Sequence, residues 1–171
     1  MSSMYSEEFM DFVNEKDEVV GKALQKDIYG KLLTHRIVHV LVFNDKNEMV
    51  LQLRSKNKNF TPGHWSTSAG GHVQSGETYE QAALRELEEE LGIKTKLEFL
   101  SKDLYNDKSR PGMEKFLGVF RTTYQGRFKI NPEEVERVEF FSLDKIQKMI
   151  DGGEKFHPEL LFLLKKHFGI K

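Results

Sequence analysis

Glu86, Glu89 and Glu90 are the residues of this chain whose type and spacing most directly suggest chemistry. On a helix the offsets i, i+3 and i+4 bring three carboxylates onto one face. Like charges one turn apart destabilise a helix by about 0.2–0.5 kcal/mol per pair, so the arrangement calls for a cation. Glu88 adds to the crowding. An all-oxygen cluster in a chain without cysteine selects a hard ion, Mg²⁺ or Mn²⁺, over zinc. A run such as Arg-Glu-Leu-Glu-Glu-Glu-Leu-Gly is, taken alone, more often a solvated helix face. What decides between the two readings is how the surrounding residues would hold it.

Thr78 followed by Gln81 forms a capping box, and Gly92 stands where a left-handed residue would end a helix, which predicts a helix over residues 79–91. Leu84, Leu87 and Leu91 fall on the face next to the carboxylates and would anchor it to a core. Just before the helix, Ser68-Ala69-Gly70-Gly71-His72 is small and glycine-rich, which would let a backbone carbonyl approach an ion. Residues 36–43 read as a central strand, apolar on both faces, with His35, Ile37, His39, Leu41 and Phe43 sharing one side. Residues 49–54 return as a hairpin in the sheet interior. The polar loop that follows carries Arg54, Lys56 and Lys58; it is either a solvated loop or one in which Arg54 and a lysine, Lys56 first, hold phosphate oxygens. Trp65 reads as core.

Two short strands, 12–14 and 18–24, make an N-terminal hairpin within residues 10–25, and 27–33 is a connector with a helical turn. After the carboxylate helix, 96–105 and 114–124 form a strand pair around a polar loop, 106–112, that contains Arg110. Glu114, which opens the second of these strands, is a candidate ligand or base outside the carboxylate helix, with an exposed strand-end charge as the alternative. A strand at 135–141 precedes two helices within 142–169, the first capped by Ser142 and the second carrying Pro158 in its first turn. These helices would cover the second sheet face. The last is apolar on more than one side, which leaves a homodimer contact open.

The 171 residues suit a single domain, 1–171, and the hydrophobic (38%) and charged (31%) fractions are those of a soluble globular protein. No apolar run approaches the ~18 residues of a membrane span, and the acidic start of the chain lacks the basic and apolar parts of a secretory signal. Absence of cysteine excludes disulfides and thiol catalysis and fits a cytoplasmic protein. A net charge of −1 offers no field to gather a nucleic acid polymer, whereas a small anionic substrate chelated by a metal needs none.

The stretch 71–93 resembles the Nudix box at every position that motif specifies: Gly71, Glu77, Arg85, Glu86, Leu87, Glu89, Glu90, Gly92 and Ile93. The resemblance implies an α/β fold, a Nudix-type α/β/α sandwich with a mixed sheet and a loop-helix-loop catalytic box. It also implies Mg²⁺- or Mn²⁺-dependent hydrolysis of a nucleoside diphosphate derivative or similar small organic diphosphate. Carried over by position, Glu89 and Glu90 would be the principal metal ligands, with Glu86 a further ligand or the base that activates water. Arg85 would orient these carboxylates, Gly70 would offer its carbonyl, and Glu77 would brace loop and helix. The tract from His35 through Pro62-Gly63-His64-Trp65 to His72 is similar to the branch containing isopentenyl-diphosphate isomerase, in which histidines matching His35 and His72 bind metal. The isomerases' catalytic cysteine is here Gly70, and the box carboxylates are complete, so hydrolysis is the expectation. Isomerisation and a non-catalytic nucleotide sensor are the alternatives. His35, His39 and His72 would form a second metal site or remain core histidines.

Overall fold

The computed structural model describes residues 4–171; Met1 to Ser3, part of the acidic start, lie outside the described residues. In chain order the strands are β1 (Phe9–Val13), β2 (Val19–Leu24), β3 (His35–Phe43), β4 (Met49–Arg54), β5 (Trp65–Ser66), β6 (Ala69–His72), β7 (Glu98–Asn106), β8 (Glu114–Thr123) and β9 (Val135–Phe141). The helices are α1 (Gln25–Gly30), α2 (Tyr79–Leu91), α3 (Leu143–Asp151) and α4 (Pro158–His167). All the strands join one mixed sheet.

β3 is the centre of that sheet because alternate residues can be buried on opposite faces. Ile37, Leu41 and Phe43 pack with Ile146 and Met149 of α3 and Leu160, Leu163 and Leu164 of α4. Val38, Val40 and Val42 pack with Ala82, Ala83, Leu87 and Leu91 of α2. The result is the three-layer α/β/α arrangement. β3 runs parallel to β8 along its whole length and antiparallel to β6 from Ile37 opposite His72 to Val40 opposite Ala69.

One pairing expectation is corrected. β3 and β4 meet only where Phe43 faces Met49, so they are not an interior hairpin; β4 pairs instead with β9 and β5. The cause is Ser68, whose hydroxyl accepts from the Val42 N–H at 2.8 Å and donates to the Val50 carbonyl at 2.6 Å, satisfying both strands while holding them apart. Residues 69–72 of the glycine-rich segment form β6. Gly70 is required there, since a Cβ would lie 2.7 Å from the Val38 carbonyl oxygen.

α2 has the bounds its caps dictate. Thr78 and Gln81 exchange both capping-box hydrogen bonds, and Gly92 closes the helix at φ 66°. Its buried stripe runs along Ala83, Leu87 and Leu91 and leans toward Glu90. Leu84, expected to anchor the helix, sits at the rim and is 37% exposed. Ser142 caps α3 through the Lys145 N–H, and Trp65 is buried beside Phe141. Among the described residues, no helix is long and apolar enough to cross a membrane.

Candidate active site

A cleft of about 730 Å³ opens between α2, the loop 55–63 and the start of α4. Glu86, Glu89, Glu90, Arg85, Gly70 and Arg54 all line it. Lys56 does not: it is exposed on the loop, and the lysine that reaches the cleft is Lys58, ion-paired with Glu134. Glu114 is half-buried at the start of β8 and is not part of the lining.

Arg85 is the hub of the helix side. Its Nε and Nη2 donate to the two oxygens of Glu77 at 2.7 and 2.9 Å, Nη2 also reaches the His72 carbonyl at 3.0 Å, and Nη1 donates to Glu86 Oε1 at 2.9 Å. Glu77 in turn accepts the Gln74 N–H at 2.8 Å, so this carboxylate ties the loop to the helix from outside the cleft. The planar guanidinium therefore arrives with its direction already set. Glu86 lies against Gly71, where any Cβ would run into its carboxyl group. Glu90 is 5% exposed; Gly70 N–H donates to its Oε1 at 2.8 Å and the Gln52 amide to its Oε2 at 2.9 Å. Glu89 is mostly exposed and, among the described residues, its carboxylate is touched only by a 3.4 Å contact from Arg85. Among the described residues, no three Asp, Glu or His side chains converge on one point as a closed ligand cage. Burial pushes the carboxyl groups of Glu86 and Glu90 above the usual range; the neighbouring Glu90 charge adds to this at Glu86, and the Gly70 and Gln52 donors oppose it at Glu90.

The cleft floor is a buried charged network. Lys115 Nζ lies 3.0 Å from Glu159 Oε1 and 3.3 Å from Asp107 Oδ2, while His39 bridges Glu159 Oε2 at 2.9 Å and Thr67 Oγ1 at 2.8 Å. Burial alone would raise the Glu159 pKa, but Lys115 and the His39 hydrogen bond outweigh it and hold the carboxyl well below its ordinary value. His157, the residue before α4, accepts the Glu159 N–H on Nδ1, so its proton is on Nε2; burial lowers its pKa to about 4 and keeps it neutral.

The histidine cluster is brought together but already engaged. Gln25 Oε1 accepts from the Ser6 N–H, which fixes its amide so that Nε2 donates to His72 Nδ1 at 3.2 Å. His72 Nε2–H then donates to the Tyr29 oxygen at 2.7 Å. His35 donates Nδ1–H to the Leu33 carbonyl at 2.9 Å, leaving Nε2 buried without a protein partner among the described residues. Burial lowers His35 to about 4 and His72 to about 3. Of His35, His39 and His72, only His35 keeps a ring nitrogen without a partner among the described residues.

Gln52, Lys115, His157 and Glu159 line the cleft without having been singled out from the sequence. The one local signal was His157-Pro158-Glu159, a histidine and a carboxylate flanking the proline that starts a helix. Arg54 is placed as expected but partly spent, its Nε and Nη2 donating to the Phe60 and Thr61 carbonyls so that it also fastens the loop. Arg110, from the loop 106–112, stacks over Tyr29 at 4.5 Å and lies 5.8 Å from the Phe60 ring.

Residues 33–164 match the NUDIX domain. The chain is 31% identical to an uncharacterised Nudix hydrolase of Listeria monocytogenes and 31% identical to a Nudix hydrolase of Deinococcus radiodurans, each alignment covering 94% of both proteins. Among solved structures, the crystal structure of DR0079 from Deinococcus radiodurans superposes with a TM-score of 0.81 at 28% identity, over 94% of this chain and 99% of that one. The MutT protein of Methanosarcina mazei shares the fold, with a TM-score of 0.65 at 24% identity over 80% of this chain and 93% of that one.

Proposed function

The chain belongs to the Nudix family and is a pyrophosphohydrolase, and we propose that it cleaves a nucleoside diphosphate derivative or similar small organic diphosphate with Mg²⁺ or Mn²⁺. The observation that carries this reading is that Glu86, Glu89 and Glu90 open from one helix face onto a cleft that also contains Arg54, Lys58 and Arg110. Carboxylates on one side and cations on the other suit a substrate whose phosphates lie between an ion and basic side chains.

The donor set fits a hard divalent ion. It is all oxygen, two of its members are buried carboxylates whose ionisation is opposed by burial, and the Gly70 carbonyl would join it. Gly70 sends its N–H to Glu90 rather than to β3, and a residue's carbonyl leaves an antiparallel strand on the same side as its N–H. A bound Mg²⁺ or Mn²⁺ would lower the pKa of water and neutralise charge on phosphate oxygens. The residues of the chain do the positioning. Arg85, braced by Glu77, holds Glu86; Gly70 and Gln52 hold Glu90; and Arg54 Nη1 and Arg110 can meet phosphate oxygens. A water oxygen bonds to phosphorus, the bridging P–O bond breaks, and the bridging oxygen leaves with the other phosphate while the water proton passes to a carboxylate.

Isomerisation has no support in this geometry, because Gly70 supplies no thiol and has no room for a side chain. The test is to incubate the protein and Mg²⁺ with nucleoside diphosphates, nucleotide-alcohol diphosphates, dinucleotides and isopentenyl diphosphate. Phosphate or monophosphate release that falls by orders of magnitude in folded Glu89→Gln and Glu90→Gln supports the reading. A new allylic isomer, binding without turnover, or unchanged kinetics in those variants refutes it.

A further inference from the structure

We propose that Gln52 is a positioning residue that aims the Glu90 carboxylate at the divalent ion, an inference that rests on the reading of the box glutamates given above. Gln52 stands on β4, across the gap from α2, and is 2% exposed. Its Nε2 gives one hydrogen to Glu90 Oε2 at 2.9 Å and the other to the Ser68 carbonyl at 3.1 Å. A carbonyl and a carboxylate oxygen can only accept from this amide, so it cannot be turned over without setting oxygen against oxygen. Its own Oε1 is therefore forced away from them, where it is buried and accepts no hydrogen bond from the described residues.

That orphan oxygen separates a structural role from a positioning one. An amide that served only the fold would be satisfied at both ends, since a buried acceptor left unpaired is destabilising. Gln52 is satisfied only at the end that touches Glu90 and Ser68. An apolar side chain of similar length would fill the same space without the unpaired oxygen but would leave the Ser68 carbonyl and Glu90 Oε2 without this donor, so what the amide adds is the direction it gives to Glu90. The other Glu90 oxygen is held by the Gly70 N–H, so the carboxylate is clamped between a side chain of β4 and the backbone of β6. Ser68 couples the two strands, because its hydroxyl holds β4 off β3 and its carbonyl takes the second Gln52 hydrogen. Hydrogen-bond partners of ligating carboxylates typically change metal affinity or activity by about 10–100-fold when removed.

The experiment uses the full chain with Gln52→Met and Gln52→Leu, beside Glu90→Gln. Three quantities are measured: Mn²⁺ affinity without substrate, from the electron paramagnetic resonance signal of free Mn²⁺; the melting temperature in chelator; and kcat and KM at saturating Mg²⁺. The expected result for the Gln52 variants is a Mn²⁺ dissociation constant raised about 10–100-fold and a lowered kcat, with KM little changed and a cooperative melting transition kept, at a temperature lowered by the two acceptors left unpaired. Parental Mn²⁺ affinity in a folded Gln52 variant overturns the inference. Loss of the cooperative melting transition in both variants also overturns it, since that makes the amide a structural element. Should Glu90→Gln keep parental Mn²⁺ affinity, the ligand reading itself fails; if Glu90→Gln loses affinity while the Gln52 variants keep it, only the role of Gln52 falls.

Discussion

Lys115→Met tests whether the cleft floor is held by charge. Lys115 is 3% exposed, with its ammonium 3.0 Å from Glu159 and 3.3 Å from Asp107. Methionine keeps much of the length and removes the charge, leaving Glu159 buried beside His39 and Asp107 beside Ser109. Removing one partner of a buried ion pair costs about 3–5 kcal/mol. At about 2–4 °C per kcal/mol for a chain of this size, the melting temperature should fall by roughly 6–20 °C. The pH dependence is the sharper test. In the native chain the Glu159 pKa is depressed, so its contribution is present above the ordinary value of 4.5 and is lost as pH falls through the folded value. In the variant, burial is opposed mainly by the histidines, the folded pKa rises, and the charged form is the one that destabilises. The stability deficit should therefore grow as pH rises from about 4 to 7, measured by urea unfolding of both proteins at each pH. A deficit below about 1 kcal/mol, or one that does not change across that range, would refute the assignment of Lys115 as the counter-charge.

Two further outcomes follow from the cleft. In Gly71→Ala the new methyl group meets the Glu86 carboxyl group, a flexible end that can turn away from Arg85; the chain should fold, and kcat/KM should fall about 100-fold, as for a misaligned catalytic group. A drop below about threefold in steady-state assays would show that Glu86 need not lie where it does. Arg110 has ring contacts but no carboxylate partner among the described residues, so Arg110→Ala should raise KM for a diphosphate about tenfold with kcat little changed, the signature of lost uniform binding. A selective loss of kcat would instead place Arg110 at the bond being cut.

What the sequence made legible was local. The ends of α2 followed from Thr78, Gln81 and Gly92, all within a turn of the helix ends, and the shared face of Glu86, Glu89 and Glu90 followed from helical periodicity. The separation of β3 from β4 was hidden because it depends on one hydroxyl, that of Ser68, reaching residues 26 and 18 positions away. The floor was hidden only in part: Asp107 and Lys115 are neighbours across the β7–β8 hairpin, but nothing short of the packing of α4 brings Glu159 to them. Lys56 and Lys58 differ by which way a loop turns, and their spacing carries no sign of that.

The carboxylates of the box are not equivalent, and the difference comes from donors outside their helix. Glu86 is held by Arg85, which is itself held by Glu77; Glu90 is held by a backbone N–H and an amide from two different strands. Glu90 is held at both oxygens and Glu86 by one guanidinium bond, so neither side chain can swing without breaking a bond. Glu89 has one long contact and a largely exposed side chain, and it alone of the three can change rotamer at little cost. A site built this way would divide the work of binding an ion, two carboxylates setting its place in advance and the third closing on it. The restraint on Glu86 and Glu90 would therefore be as much a part of such a site as the charges themselves, and Gly71, Glu77 and Gln52 would belong to it without supplying a carboxylate to the ion.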